Sequence, residues 1–325
     1  MSKLSITICT IIFACILLVA SCTDKRIETA ATYSFPELLS KYGIYEGAPS
    51  LLRFNNNYFP YEIPTPLFSD YTRKQRLIMV PRGSRIEPKD DGLPVFPDST
   101  IIVKTFYVYN DARDTLSQKK ILETRVLVKM DNKWNAATYL WNSGQTDALL
   151  TKTGIDVPLN WINEYGNPIV ISYHVPSQVE CGMCHRSDHE LIPLGPKMRN
   201  LNRDVKIDNR SVNQLLCMQD AGLMTKKDPA LFAATTDWTD TSFTLEARAR
   251  SYLDINCAHC HNDKGLAKGS SLRLGFEIPI GESKIFKKKT AIVDQMSRGS
   301  MPLIGTSVIH AEGLDLIKQF INSLH

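Results

Sequence analysis

The 325-residue chain lacks any apolar run of the roughly 20 residues that a bilayer-spanning helix needs. Its most apolar stretch, residues 6–20, stops short, which excludes a polytopic membrane protein. Blocks of like charge are also missing: 38 basic and 34 acidic side chains are interspersed, so the net charge of +4 carries no nucleic-acid reading. With 43% hydrophobic and 22% charged residues, the composition excludes a disordered tail and a coiled coil. Glycine-rich phosphate loops are absent. From Tyr33 to residue 174 the only histidine is His174, and that stretch shows no metal-ligand cluster or catalytic constellation. What remains is a chain long enough for two or three domains and a substantial core.

The N-terminus carries an address. Lys3 followed by the apolar run has the basic and apolar regions of an export signal. The run ends Val19-Ala20-Ser21-Cys22, which resembles the lipobox of bacterial lipoproteins. That resemblance implies removal of residues 1–21 and lipidation of Cys22, with acyl chains anchoring the protein at about 0.8 kcal/mol per buried methylene. Thr23 after the cysteine resembles lipoproteins sent to the outer membrane, here facing the periplasm. An ordinary signal peptide with an incidental cysteine is the alternative. Residues 22–32 are small and polar and read as a tether.

Eight cysteines are present. Cys9 and Cys15 leave with the signal, and Cys217 sits in an apolar stretch as an expected buried free thiol. The other four form two Cys-x-x-Cys pairs, Cys181/Cys184 and Cys257/Cys260, each followed at once by histidine, His185 and His261. A disulfide framework gives no reason for a histidine at that place twice, and a four-thiolate zinc site leaves both histidines unexplained. Cys-x-x-Cys-His is the attachment signature of haem c. The two thiols, a helical turn apart, form thioethers with the porphyrin vinyl groups, and the histidine lies under the iron as proximal ligand. The expected cofactors are therefore two covalent haem c groups, whose propionates move the charge toward neutrality.

The rest of the chain divides by pattern. Residues 33–175 read as β-rich, a sandwich or partly open barrel. Residues 101–109 alternate, with Val103, Thr105, Tyr107 and Tyr109 on one face and Ile102, Phe106 and Val108 on the other. Segments 121–130 and 134–141 flank Asp131-Asn132 as a hairpin, and six prolines between 64 and 97 disfavour long helices. Residues 176–242 hold the first motif, with a helix expected over 212–221. In 243–325 a helix over 246–255 leads into Cys257, and Leu314, Ile317, Phe320, Ile321 and Leu324 mark one face of a terminal helix. The whole reads as multidomain α+β.

This last order resembles the class I cytochrome c domain: helix, haem motif, methionine loop, helix. The resemblance implies crossing terminal helices with an aromatic, Phe320, near the crossing. Met301, followed by Pro302 about 40 positions beyond His261, is the candidate distal ligand of the second haem. Met296 competes, in the segment 290–296 that looks helical. His259, inside the motif, reads as a solvent-edge side chain. Lys287, Lys288 and Lys289 read as a solvated loop, or as a dock for an acidic redox partner. At the first haem the sixth ligand stays open among Met198, Met218, Met224, His174 and His189, or no ligand.

Further segments carry a wider resemblance: residues 65–71 (Thr-Pro-Leu-Phe-Ser-Asp-Tyr), Lys104-Thr105-Phe106-Tyr107, Glu123-Thr124-Arg125, Trp141-Asn142, Gln145-Thr146-Asp147, Pro176-Ser177, Leu201-Asn202-Arg203 and residues 256–261. Together they resemble a family of bacterial dihaem c-type cytochromes. That resemblance implies an exported electron carrier working beside a separate β-helical repeat protein, and it supplies no substrate. The expected function is single-electron transfer between periplasmic redox partners, a donor and an acceptor protein, with the β-rich part as docking module and no catalytic residues. Two alternatives are a dihaem peroxidase-like or dehydrogenase-associated enzyme using an open first haem, and a β module binding a partner or polymer. Aromatics in 58–61 motivate the last, if exposed.

Overall fold

A computed structural model describes residues 33–116 and 118–324. The signal at 1–21, Cys22 and the tether at 22–32 lie outside the described residues. The fold is α+β: an antiparallel sheet region followed by a more helical part. Among the described residues no helix is long and apolar enough to cross a membrane.

Six strands form the main sheet in simple meander order: β1 (Phe59–Pro60), β2 (Arg73–Met79), β3 (Ile101–Tyr109), β4 (Lys119–Met130), β5 (Lys133–Trp141) and β6 (Ala148–Thr151). The expected hairpin is β4–β5. Its two-residue turn, Asp131-Asn132, takes φ of 50° and 60°, the left-handed conformation that matches strand twist and that Asp and Asn tolerate. The alternation read in β3 runs through the strand. The register shift beside Phe106 and Tyr107 leaves the extra residue, Leu122, on β4, and Val108 packs in a separate cluster with Leu159, Trp161 and Tyr173. The last two belong to β7 (Ile155–Ile162) and β8 (Pro168–Val175), which form their own hairpin rather than extending the sheet.

The helical part contains α1 (Gln178–His185), the short ladders β9 (Arg186–Ser187)/β10 (Glu190–Leu191) and β11 (Asp204–Ile207)/β12 (Arg210–Asn213), and α2 (Met198–Leu201) and α3 (Gln214–Asp220). Then follow α4 (Leu245–Asn256), α5 (Ile285–Ser297) and α6 (Ala311–Ser323). The helix expected over 212–221 starts later, because Val212 and Asn213 complete β12. Asn213 accepts from the Leu215 N–H as N-cap. Lys287, Lys288 and Lys289 stand on α5 and are not a loop. Tyr58 and Tyr61 are each only 5% exposed, so the 58–61 segment is core and not an aromatic surface.

Residues 35–325 form one compact unit, because one face of the sheet is the floor of the helical part. Ile78, Ile102, Leu127 and Ala136 of that face share a core cluster with Cys181, Met198, Leu201, Leu215, Met218, Met224 and Ile255. The segment 65–71 fastens the same junction. Thr65 Oγ1 donates to the Thr236 carbonyl (2.8 Å), and the Phe68 N–H donates to Asn256 Oδ1 (2.8 Å). Phe68 stacks on His310 with centroids 4.1 Å apart. Asp70, 1% exposed, accepts from the N–H groups of Ser307 and Val308.

Candidate cofactor sites

The first motif is built at a strand-to-helix corner. β8 ends at Val175, Pro176 breaks the ladder, and Ser177 opens α1 with a full capping box. Its side chain accepts from the Glu180 N–H while Glu180 accepts from the Ser177 N–H. His174 braces that cap: Nδ1 is 2.6 Å from Asp156 Oδ1 and Nε2 is 2.9 Å from Glu180 Oε1. Burial alone would lower its pKa, but the two carboxylates raise it above the ordinary value. One turn of α1 then separates Cys181, which is buried, from Cys184 and His185, which are half-buried. Cys181 Sγ lies 3.4 Å from Thr138 Oγ1 of β5, so this motif is seated directly on the sheet.

His185 has the tautomer that a metal ligand needs. Its Nδ1 is 2.8 Å from the Ile192 carbonyl oxygen. That oxygen can only accept, so Nδ1 carries the proton and Nε2 presents a lone pair. Burial, partly offset by this hydrogen bond, takes its pKa down to about 3, so the ring is neutral. Of the sixth-ligand candidates, Met198, Met218 and Met224 are buried in the cluster that contains Cys181. His174 is engaged by carboxylates at both ring nitrogens, and His189 is exposed.

The second motif follows α4, whose N-cap is Thr244. Cys257, Cys260 and His261 line a cavity of about 350 Å³, together with Leu272, Leu274 and Met301. Met301 is 37% exposed at this lining, whereas Met296, which also reaches it, packs against the α4–α6 core. His261 Nδ1 is buried with no hydrogen-bond partner. Burial, with the Arg273 charge, lowers its pKa below the ordinary histidine value. Burial, then the neighbouring Cys260 thiol, pushes Cys257 up to about 12. An apolar cavity with two thiols, an imidazole and a thioether on its wall offers ligands for an apolar cofactor that carries a soft metal. All five described cysteines are free thiols, and no three or more described His, Cys, Asp or Glu side chains converge as a metal site. Neither a disulfide framework nor a four-thiolate zinc site gains support.

The two motifs are neighbours. The Asp188 N–H, three residues past His185, donates to the carbonyl of Lys264, three past His261, at 2.9 Å. Their side chains pair at 3.6 Å. Burial, then the nearby Cys260 thiol, pushes Cys184 up to about 12. His259 is not at a solvent edge: it is half-buried between the motifs, its Nδ1 is buried and unpartnered, and burial lowers its pKa to about 4. Cys217 is half-buried rather than buried. Asp254, 2% exposed on α4, joins the two regions through Arg199 (2.7 Å) and Lys197 (3.3 Å).

Sequence reasoning missed Asp254, Asp70 and His310. Asp70 lies in the segment 65–71, but nothing local shows that it holds residues 307–308. His310, ringed by Phe68, Tyr71, Trp238 and Tyr252, has no local motif at all. Comparison of the chain with protein-family models, with curated proteins and with solved structures found no match.

Proposed function

We propose that this chain is an exported, lipid-anchored dihaem c-type cytochrome that passes single electrons between redox proteins in the periplasm. The observation that carries the reading is the pairing, twice over, of two free thiols with a histidine of lowered pKa in the Cys-x-x-Cys-His order. Covalently held haem would supply reversible one-electron chemistry at iron, its potential set by axial ligands and burial.

The residues divide that work. Cys181 and Cys184, and Cys257 and Cys260, would hold the two groups. His185 and His261 would be proximal ligands, with His185 oriented by the Ile192 carbonyl. Met301 would be the distal ligand at the second site, where a neutral thioether favours the reduced state. Residues 243–325 would then form a unit resembling class I cytochrome c. The sheet would act as the wall of the first site, replacing the closed sandwich or barrel of the sequence reading. The backbone link between Asp188 and Lys264 holds the two motifs together, so that groups held by them would be near enough to exchange an electron.

Low-temperature electron paramagnetic resonance on the oxidised, mature protein, with haem content quantified, tests this. Two haems per chain and two low-spin signals are expected. A low-spin and a high-spin signal together would instead mark an open first iron and favour an enzyme acting on small substrates such as peroxide. A chain without covalent haem would end the cytochrome reading.

A further inference from the structure

The sheet face under the first motif carries more positive charge than its surroundings neutralise. Register places Arg76, Lys104, Arg125 and Thr138 side by side across β2, β3, β4 and β5. Lys74 Nζ, Lys104 Nζ and Arg125 Cζ lie 5.7, 5.0 and 4.4 Å from the centre of the Phe106 ring on the same face. Asp70 and Glu62 attract Lys74 and Arg76 without pairing with them, and the carboxylate that reaches the row, Glu123, is 0% exposed and already committed. It accepts from Arg125 Nε (2.9 Å) and Nη2 (2.6 Å) and from the Tyr173 hydroxyl (2.6 Å).

Lys74, Arg76 and Lys104 have no ion pair within 4.0 Å among the described residues. Lys74 donates to the Thr72 carbonyl at 2.7 Å. Arg76 is 7% exposed, and its Nη2 is buried with no partner. Burial, with mutual repulsion added, pushes Lys74 and Lys104 well below the ordinary lysine range, and burial lowers Arg76 as well. Burying cations without counter-charge is unfavourable unless something anionic joins them. Three neighbouring strands, each carrying a cation on one face, make a site for a paired anion.

The row begins at the first motif, since Thr138 touches Cys181. With strands about 4.8 Å apart, three steps across the sheet put Arg76 about 14 Å from Thr138. That is the scale of a porphyrin from its thioether edge to its carboxylate edge. Lys104 and Arg125 also stand near enough to His185 to depress its pKa further.

We propose that Arg76 and Lys104, supported by Lys74, bind the two propionate carboxylates of the haem attached at Cys181 and Cys184. The proposal rests on the dihaem reading above and adds the residues that receive the group's charge. It makes the β sheet half of the first cofactor site. Charged side chains at Lys104 and Arg125, inside the sheet, acquire a reason that no strand pattern supplies.

The test uses full-length mature protein matured with haem, as wild type and as Arg76→Gln, Lys104→Gln and the charge-keeping Arg76→Lys and Lys104→Arg. Covalent haem is counted by mass, the two midpoints are resolved by redox titration, and propionate bending bands are read by resonance Raman. Each glutamine variant is expected to keep two haems, lower one midpoint and shift one propionate band, while the other haem is unmoved. The charge-keeping variants should restore the midpoint. Two attached haems with both propionate bands unmoved in Arg76→Gln and Lys104→Gln overturn the proposal and leave the cytochrome reading standing. Absence of haem from Cys181 and Cys184 in the wild type overturns both. If Arg76→Gln does not fold, Lys104→Gln, half-buried and without an ion pair, carries the decision.

Discussion

At the scale of single residues, the candidate site was legible where its members are local in the chain. Cys181, Cys184 and His185 need only one helical turn to act together, so their order in the chain announces them. Met301 is different: its candidacy rested on a resemblance and a proline, and the fold brings it to the lining that also holds Cys257, Cys260 and His261. Met301→Ala is expected to lower the midpoint of the second haem or to open that iron, read by redox titration and visible spectroscopy. An unchanged potential and spectrum would remove Met301 as ligand. Gly313 is a residue that no motif marks. A β-carbon there would come within 2.6 Å of His310 Nδ1 and still closer to the Tyr252 ring, so α6 approaches α4 through a glycine. Gly313→Ala should therefore cost about 1–3 kcal/mol, as overpacking does, measured by urea unfolding. A neutral result would show that α6 can slide at no cost.

At the scale of elements, periodicity located α4, α6 and the β4–β5 hairpin because each is decided by neighbours within a few positions. It failed where a side chain's partner is remote. The three lysines at 287–289 read as a loop, yet Ile285, 1% exposed, anchors their helix in the α4–α6 cluster. The cap of α1 is another remote case. Asp156 lies on β7 and His174 on β8, and only the hairpin brings both to Glu180. Because the two carboxylates raise the His174 pKa in the folded state, its contribution to stability is fully present below about pH 6.5, the unfolded value. It is lost as pH rises through the higher folded value. Hydrogen exchange of the α1 amides should quicken as pH rises from about 6.5 through that higher folded value, after correction for the intrinsic rate. In His174→Phe that pH dependence should vanish, and its persistence would locate the titrating group elsewhere.

At the scale of the whole molecule, one buried carboxylate ties the regions of the two Cys-x-x-Cys-His motifs together. Burial would raise the Asp254 pKa, but Lys197 and Arg199 hold it below the usual range. Its stabilisation is therefore present above about pH 4 and lost as pH falls through its depressed folded value. Asp254→Ala, which strands the Arg199 and Lys197 charges, should cost about 3–5 kcal/mol. Chemical denaturation at neutral pH measures this, and a loss below about 1 kcal/mol would mean that Glu277, 3.0 Å from Arg199, suffices as partner. The sequence alone determined that the order Cys-x-x-Cys-His occurs twice, that a basic residue and an apolar run precede both, and that strands come before helices. Each of these is written in residues adjacent in the chain or at one fixed period. Only the tertiary structure decided that the β-rich part is not a separate module, that the two motifs are clipped together at Asp188 and Lys264, and that unpaired cations face the first motif. Those facts depend on side chains many tens of residues apart, brought together because one sheet face and the helices share a single core.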